Sequence, residues 1–274
     1  MAGEGDYNPD YVIHTDAETS RLERQARLYD LQDDLRFAAV APGERVLDAG
    51  CGSGYYSRGF ARHCPQAQVV GVDREARYLD FAQRQGEAEA LSNLRFERGD
   101  VLHLPFPDAH FDLVWSKHLL QWVPQREQAL AEFRRVTRPG GRIVAVNFDR
   151  FTQIHEPVDA QVQADLERWM AAARERLGFD CDQGRRLPSM FRAAGLTDIR
   201  VDIRPDRAFT GFGGDPERLW NWQQQWKGAF PFTEQVFGGR EAAEAMTLRC
   251  LARLNDPDTF VYCPLFYVCG RVPG

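Results

Sequence analysis

The sequence lacks the features that define several large classes of protein. It contains no apolar run approaching the roughly 18 residues that a membrane-spanning helix requires, so no membrane association is predicted. It contains no G-x-x-x-x-G-K-[S/T] string, which excludes a P-loop phosphate site. Its start, Met-Ala-Gly-Glu-Gly-Asp, has no basic stretch followed by an apolar one, so no signal peptide is indicated and a cytoplasmic location is expected.

Metal-binding patterns and a basic charge excess are also missing. The six cysteines form no C-x-x-C pair and show no zinc spacing, so we predict reduced intracellular cysteines and no metal site. The net charge of −6 argues against a nucleic-acid partner, because proteins that bind a phosphate backbone usually present a basic face. Lysine occurs only at Lys117 and Lys227, a bias to which no function is assigned.

What the sequence does contain is a glycine-rich turn directly after an apolar strand. The strand is predicted at residues 46–49, and Gly50, Gly52 and Gly54 follow at alternate positions. Glycine has no Cβ, so it tolerates positive φ and lets a ligand lie against the backbone. The turn therefore predicts a nucleotide-like ligand over the carboxyl end of the strand. The spacing departs from the dinucleotide fingerprint G-x-G-x-x-G, because Tyr55 occupies the place of the third glycine.

Aspartates end the next two predicted strands. The apolar run 69–72 ends in Asp73, 23 residues after Gly50, where a carboxylate suits a bidentate hydrogen bond to ribose hydroxyls. The run 94–99 ends in Asp100, where a carboxylate could read an adenine ring. Either aspartate alone could equally be an ordinary turn or capping residue. Because both follow the glycine turn in register, ligand binding is the favoured interpretation.

Four stretches taken together resemble a known family. Residues 46–148 are similar to class I S-adenosylmethionine-dependent methyltransferases, and among these to the small-molecule branch that contains the ubiquinone and menaquinone C-methyltransferases. The similarity covers the central part of the chain. The matching stretches are VLDAGCGSG at 46–54, VVGVD at 69–73, GDVLHLPFPDAHFDLVWS at 99–116 and RPGG at 138–141.

The resemblance implies an α/β fold, with a Rossmann-like, doubly wound sheet of seven strands that are parallel but for one. It implies an N-terminal helical cap at residues 1–44, a cofactor-binding core at 45–148, and a substrate roof at 149–274. Helical insertions are expected after strand five and between strands six and seven. The cap is predicted to be one helix, from a capping box at Thr15 to about Val40. Further helices are predicted near 158–177, 187–194 and 215–255, and the last strands near 198–204 and 260–268.

By the same resemblance, S-adenosylmethionine is the expected cofactor. Asp73 would hold its ribose, and Asp100 with Val101 would flank its adenine. Asp48 would order the loop or reach the ammonium group. This cofactor has no phosphate but carries a sulfonium and an ammonium, so aspartates suit it better than a basic phosphate cradle would. The residues expected to bind it are Asp48, Gly50, Gly52, Gly54, Asp73, Asp100, Val101 and Ser116.

A histidine follows the fourth predicted strand, residues 111–115. His118 is the favoured candidate for a general base, because histidine titrates near neutral pH and this position faces the catalytic edge of the sheet. A base is needed only if the acceptor begins as O–H, N–H⁺ or an acidic C–H. The alternative is that His118 packs or caps a short helix. His14 and His155 are weaker candidates.

Large aromatic side chains concentrate in the second insertion. In this fold such insertions commonly cover the substrate site, although a cluster of rings is more often simply core. Trp222 and Trp226 lie on one helical face, and they are expected to contact substrate. Tyr11 and His14, just before the cap helix, are two further substrate-binding candidates, with a structural role as the alternative.

Motifs of other methyltransferase classes are absent after the fourth strand. The chain has SKHL at 116–119 where nucleic-acid amino-methyltransferases have [N/D]-P-P-[Y/F], and it has no nucleophilic cysteine there. We therefore expect methyl transfer to a small hydrophobic or aromatic metabolite in natural-product biosynthesis, with carbon or oxygen slightly favoured over nitrogen. Two alternatives remain: S-adenosylmethionine binding for cyclisation or regulation without methyl transfer, and a nicotinamide-dependent oxidoreductase. The oligomeric state is left open, with a homodimer as one option.

Overall fold

The fold is built on one large mixed sheet. The structure is a computed structural model, and it describes residues 16–150, 154–205, 209–210 and 216–274. Seven strands form this sheet: β1 (Arg45–Ala49), β2 (Gln68–Asp73), β3 (Leu94–Arg98), β4 (Phe111–Lys117), β5 (Thr137–Phe148), β7 (Thr197–Pro205) and β10 (Pro264–Arg271). Their order across the sheet is β3-β2-β1-β4-β5-β10-β7, and β10 runs antiparallel to both of its neighbours.

Helices cover both faces of this sheet. Nine α-helices lie in the described ranges, and a single 3₁₀ turn at Leu120–Trp122 follows β4. Their bounds are α1 (Asp16–Ala26), α2 (Leu31–Ala38), α3 (Tyr55–His63), α4 (Ala76–Ala88), α5 (Arg126–Val136), α6 (Ala160–Leu177), α7 (Gln183–Ala193), α8 (Pro216–Phe237) and α9 (Arg240–Asn255). The seven-stranded, mostly parallel, doubly wound fold expected from the sequence is thereby confirmed.

The central strands are apolar on both faces because each face meets a layer of helices. Side chains alternate between the two faces of a strand. In β4, Leu113 and Trp115 pack into the core that includes α3, whereas Val114 packs into the core that includes α5 and α7. The same alternation in β5 places Val144 on the first side and Ile143 on the second.

The N-terminal cap is two helices rather than the single helix expected to reach Val40. The break falls at Asp30, whose carboxylate accepts a hydrogen bond from the Gln32 backbone N–H at 2.9 Å and so begins α2 as an N-cap. The chain can therefore turn between α1 and α2. Continuous apolar periodicity hid this break, because an N-cap residue needs no change in the hydrophobic pattern around it.

The last predicted strand, 260–268, is also two strands. β9 (Phe260–Tyr262) leaves the large sheet and pairs with β6 (Ile154–Glu156) and β8 (Phe209–Thr210) in a small antiparallel sheet. Only after Cys263 does the chain enter β10. Within the described ranges, no helix combines the length and apolarity that crossing a membrane would require.

Candidate active site

The glycine turn after β1 is fixed to the end of β2 by its backbone. The N–H groups of Gly50 and Cys51 both donate to the carbonyl oxygen of Val72, at 2.8 and 2.9 Å. Gly50, Gly52 and Gly54 have φ values of 72°, 52° and 74°, a left-handed conformation that side chains rarely adopt. The turn therefore requires glycine at all three positions.

The space around the three glycines differs. A Cβ built on Gly52 would meet nothing closer than Leu22 Cδ1 at 3.8 Å, and the glycine borders a cavity. A Cβ on Gly54 would overlap Phe96 at 2.6 Å, and one on Gly50 would overlap Leu119 at 2.7 Å. Gly52 thus leaves open backbone toward the cavity, whereas Gly54 permits close packing of α3 against the sheet.

Asp73 ends β2 at the edge of the same cavity. Its two carboxylate oxygens accept the backbone N–H groups of Gly52 and Glu75, at 2.9 and 3.0 Å. Burial raises the pKa of this carboxyl above its ordinary value, against the lowering effect of the two hydrogen bonds. A carboxylate offers about four lone-pair sites, so two acceptor sites remain for a ligand hydroxyl pair.

Asp48 lies behind the turn, outside the cavity lining. Its carboxylate accepts a hydrogen bond from the Ser57 hydroxyl at 2.5 Å and is 2% exposed. Burial raises the pKa of Asp48 to about 7, with a further contribution from the nearby Asp73. The hydrogen bond to Ser57 links the end of β1 to the first turn of α3, and the role of Asp48 toward the cofactor stays a prediction.

Three of the other expected cofactor residues also lie outside the lining. Asp100 is exposed, and its carboxylate accepts the backbone N–H of Leu102 at 2.9 Å, as a turn residue does. Val101 is buried in the core beside it. Ser116 is fully buried in β4, and its hydroxyl has no hydrogen-bond partner in the described part of the chain. Their roles toward the cofactor stay predictions.

The cavity itself has a volume of about 350 Å³. One wall consists of the carboxyl ends of β1, β2, β4 and β5, and the opposite wall consists of α1, α6 and α8. An unbroken series of rings crosses from one wall to the other. The series is Tyr29, His118, Phe148, Phe179, Trp169 and Trp226, with successive ring centroids 5.2, 5.5, 6.4, 6.3 and 5.7 Å apart.

His118 lies where β4 ends, between the rings of Tyr29 and Phe148. Its φ of 56° is unusual for a residue other than glycine, and its N–H donates to Val146 O at 2.9 Å. Both ring nitrogens are buried without a hydrogen-bond partner among the described residues. Burial lowers the pKa of His118 well below its usual value, and the neighbouring Lys117 lowers it further, so the ring is neutral.

Sequence comparison identifies the family. The family described as "Methyltransferase domain" matches residues 47–145. A malonyl-[acyl-carrier protein] O-methyltransferase of Serratia marcescens is 32% identical over 216 residues, which cover 74% of this chain and 80% of that protein. A 2-phytyl-1,4-naphtoquinone methyltransferase of Synechococcus elongatus is 33% identical over 179 residues, covering 59% of this chain and 76% of that protein. The chain belongs to the S-adenosylmethionine-dependent methyltransferases.

A solved structure agrees with the fold of this methyltransferase. Phosphoethanolamine N-methyltransferase 2 of Haemonchus contortus, in complex with S-adenosyl-L-methionine, superposes with a TM-score of 0.62. The superposition covers 97% of this chain and 59% of that one, at 16% sequence identity. At this identity the likeness establishes the fold alone.

The residues of the methyltransferase fit S-adenosylmethionine. A side chain at position 52 would fill the space beside the turn, so the glycine there keeps a cradle open against the backbone. Asp73 faces that space with acceptor sites suited to ribose hydroxyls. Burial, with help from nearby carboxylates, raises the pKa of Cys51 well above its usual value, so this neighbour is a neutral thiol rather than a nucleophile.

A buried ion pair that sequence reasoning missed lies beside the cavity. Lys117 Nζ donates to both carboxylate oxygens of Asp34, at 2.8 and 2.7 Å, and the Tyr267 hydroxyl donates to the same group at 3.0 Å. The rings of Tyr29 and Tyr56 lie 4.5 and 4.6 Å from Nζ. The cluster joins α2, β4 and β10. The rarity of lysine was the only sequence signal for it.

Helix α1 of the methyltransferase, which belongs to the helical wall, is also joined to the sheet wall, and sequence reasoning missed both sets of contacts. On the sheet side, Glu23 accepts from the Ser53 hydroxyl at 3.0 Å and from the Arg58 guanidinium at 2.7 Å. On the helical side, Arg21 donates to the Asn221 side chain at 2.8 Å while it pairs with Glu18. These contacts place α1 over the glycine turn as a cap.

The remaining predicted site residues are found in three places: in the cavity, away from it, and outside the described residues. Trp222 and Trp226 both line the cavity, so the structure brings both of them to the expected site. His155 is buried in the small sheet, where its Nε2 accepts the Asp159 N–H at 3.3 Å, and it does not line the cavity. Tyr11 and His14 lie outside the described residues.

Proposed function

We propose that this methyltransferase acts on a small, flat or hydrophobic metabolite, at carbon or oxygen. The observation that supports the proposal is the series of rings from His118 to Trp226, which forms the acceptor side of the cavity. Such a surface favours planar apolar ligands, because stacked and edge-to-face ring contacts add to the burial of apolar area. One relative is named for a naphthoquinone, which is an acceptor of this kind.

Charge at the acceptor side supports an uncharged ligand. Arg21, which lines the cavity, forms a bidentate pair with Glu18. Lys117 is paired with Asp34 and is 1% exposed. These cations are already matched to carboxylates, so a charged acceptor would lose its hydration for little electrostatic return.

The main contribution of the chain's residues is to align the acceptor with the methyl group of the cofactor. When bound, S-adenosylmethionine supplies a methyl group on a sulfonium that is an excellent leaving group. Gly52 and Asp73 would fix the cofactor at one end of the cavity, while the rings would fix the plane of the acceptor at the other. Holding two reactants in line lowers the barrier by about 7–11 kcal/mol in well-oriented systems.

His118 is the proposed base for an acceptor that must lose a proton. The ring is neutral, so it has a nitrogen that can accept a proton, but the burial and the Lys117 charge that lower its pKa also weaken it as a base. Both nitrogens are buried in this structure, so proton transfer would require the ring to turn about its Cβ–Cγ bond. We expect His118→Ala to lower turnover of a phenolic acceptor with little change in cofactor affinity. The matched control is His155→Ala, which removes a histidine outside the cavity and should retain wild-type turnover.

The test of the function is product mass. Purified protein is incubated with methyl-labelled cofactor and a panel of hydroxyquinones, phenols, enols and amines. A labelled product heavier by one methyl group from an apolar ring acceptor supports the proposal. An isomer of unchanged mass would instead favour cyclisation, and methylation confined to charged amines would contradict the acceptor class.

A binding experiment separates the remaining alternative. Calorimetry with S-adenosylhomocysteine and with NAD distinguishes this function from nicotinamide-dependent oxidoreduction. Asp73→Ala should weaken S-adenosylhomocysteine binding by about 1–3 kcal/mol, because it removes charge-assisted hydrogen bonds. Unchanged affinity in that variant would rule out the ribose role of Asp73. Natural-product tailoring is the setting that we propose for the reaction, by likeness to the small-molecule branch of the family.

A further inference from the structure

The edge strand β7 is the strongest unassigned feature of the surface. It ends the large sheet, and among the described strands it pairs only with β10. Its pairing with β10 is regular from Arg200 to Pro205. Two apolar side chains on one face of it, Val201 and Ile203, are 45% and 52% exposed. An edge strand with exposed apolar side chains is a template for pairing with another strand.

The charges on β7 have a specific order. Residues 198–204 read D-I-R-V-D-I-R, so acidic, apolar, basic and apolar side chains follow one another. Reversing the direction of this segment about Val201 exchanges every acid for a base and leaves every apolar position apolar. Two copies laid antiparallel about that centre therefore face each other with opposite charges and matching apolar residues.

We propose that two copies of this chain dimerise by antiparallel pairing of their β7 strands, centred on Val201. In this register Val201 faces Val201 of the second copy, and Ile199 faces its Ile203. Arg200 faces Asp202 of the second copy, and the same pair recurs across the two-fold axis. The two seven-stranded sheets then form one continuous sheet.

Neighbouring registers are excluded by charge. Backbone groups and side-chain faces match only when the centre moves by whole residues along the strand. A centre at Arg200 places that arginine against itself and Asp198 against Asp202. A centre at Asp202 places that aspartate against itself. Like charges directly opposite one another destabilise a strand pair, so both adjacent centres are disfavoured. Centres at Ile203 and Ile199 keep opposite charges opposite, but the first sets Val201 against Pro205, which has no N–H to donate, and the second reaches the irregular pairing opposite Cys269 and Arg271. Val201 is therefore the favoured centre.

The pairing also supplies a partner to a charge that lacks one. Arg200 is exposed, and among the described residues no oppositely charged side chain lies within ion-pair distance of it. Asp198 has a φ of 49° and lies outside the regular part of the strand, so it is not counted in the pairing. Asp202 is held by Arg204 of its own strand at 2.6 Å, so its carboxylate is already oriented. Charges usually protect an edge strand against association. Here their order makes one self-association attractive.

Cross-linking tests the register. Wild-type protein should have a mass in solution of twice the 31.3 kDa of one chain. Val201→Cys should give a covalent dimer under mild oxidation, because residue 201 faces itself across the axis. Ile203→Cys is the matched control, since it faces position 199 and should not cross-link to itself. All six native cysteines are buried, so background cross-linking is small.

Charge reversal tests the attraction. Arg200→Glu and Asp202→Arg should each be monomeric, and mixing the two should restore a dimer containing one of each. Arg95→Glu on β3, the opposite edge of the sheet, should stay dimeric. Each variant is checked for an unchanged melting curve and unchanged S-adenosylhomocysteine affinity. A monomeric wild type, a dimer without the Val201→Cys cross-link, or no dimer after mixing would overturn the proposal.

Discussion

The two walls of the cavity are built in different ways. The sheet wall is local: residues 50–54 and Asp73 lie on adjacent strand ends, and backbone hydrogen bonds to Val72 fix them. The helical wall is assembled from α1, α6 and α8, which come from distant parts of the chain: rings join α6 to α8, and polar side chains join α1 to α8. A cofactor shared by a whole family can be bound by a short motif, whereas the acceptor surface depends on long-range packing.

The joint between the walls should show the largest effect. Arg58 is 2% exposed and pairs with Glu23, itself 6% exposed, so Arg58→Met leaves a buried carboxylate without its principal cation. We expect a loss of about 3–5 kcal/mol in the free energy of unfolding, measured by urea denaturation. Arg24→Met is the control, because the Arg24–Glu217 pair is exposed and should cost at most about 1 kcal/mol. If the two variants lost equal amounts of unfolding free energy, the Arg58–Glu23 pair would not be the main attachment of α1.

A pH experiment isolates the sheet wall. The pKa of Asp48 is about 7 in the folded protein, against 3.8 for an ordinary aspartate, so folding favours its protonated form. That stabilisation is complete below about pH 4 and is lost as the pH rises through 7. Asp48→Asn cannot ionise. Between about pH 5 and about pH 8, wild type should therefore lose about 3 kcal/mol of unfolding free energy relative to the variant.

Parallel stability curves for wild type and Asp48→Asn would contradict that pKa. The asparagine carbonyl oxygen can still accept the Ser57 hydrogen bond, so the comparison changes ionisation with little change in shape.

Two glycines of one turn should respond differently. Gly52→Ala should cost about 1–2 kcal/mol of stability from left-handed strain alone, because its Cβ has room. Gly54→Ala should cost about 1–3 kcal/mol more, since its Cβ overlaps Phe96 and Ala82. Affinity for S-adenosylhomocysteine should fall more in Gly52→Ala once folding is allowed for. Thermal melts and calorimetry measure both quantities, and the reverse order would refute this division of roles.

The helical wall should affect only the acceptor. Trp226→Leu removes a ring 5.7 Å from Trp169. We expect kcat/KM for an apolar ring acceptor to fall, by an amount that corresponds to a loss of about 0.5–1.5 kcal/mol in transition-state stabilisation. Cofactor affinity should be unchanged. Trp220→Leu on the same helix is the matched control, because Trp220 stacks with Arg24 outside the cavity. A loss of cofactor affinity in Trp226→Leu would show that the helical wall also contributes to cofactor binding.

Sequence reasoning succeeded where structure is local. The strands that contain Val46 and Val69, the glycine turn and the position of Asp73 follow from residues adjacent in the chain. The Lys117–Asp34–Tyr267 cluster could not be found this way, because its members come from three distant segments. Asp100 shares with Asp73 its place after a strand and its hydrogen bond to the N–H two residues on, yet only Asp73 lines the cavity. Position after a strand does not by itself decide whether a residue lines the cavity.

The place of β10 has a consequence for how the molecule is made. This strand lies between β5 and β7 although it follows both in the chain, and it joins Leu265 to Phe148. Until β10 inserts, the growing protein has a five-stranded sheet that ends at β5. Strand β7 then has no strand to pair with. Closing so long a loop is slow. During that delay the nascent chain exposes two unpaired edges at once, the period in which chaperones would matter most to it.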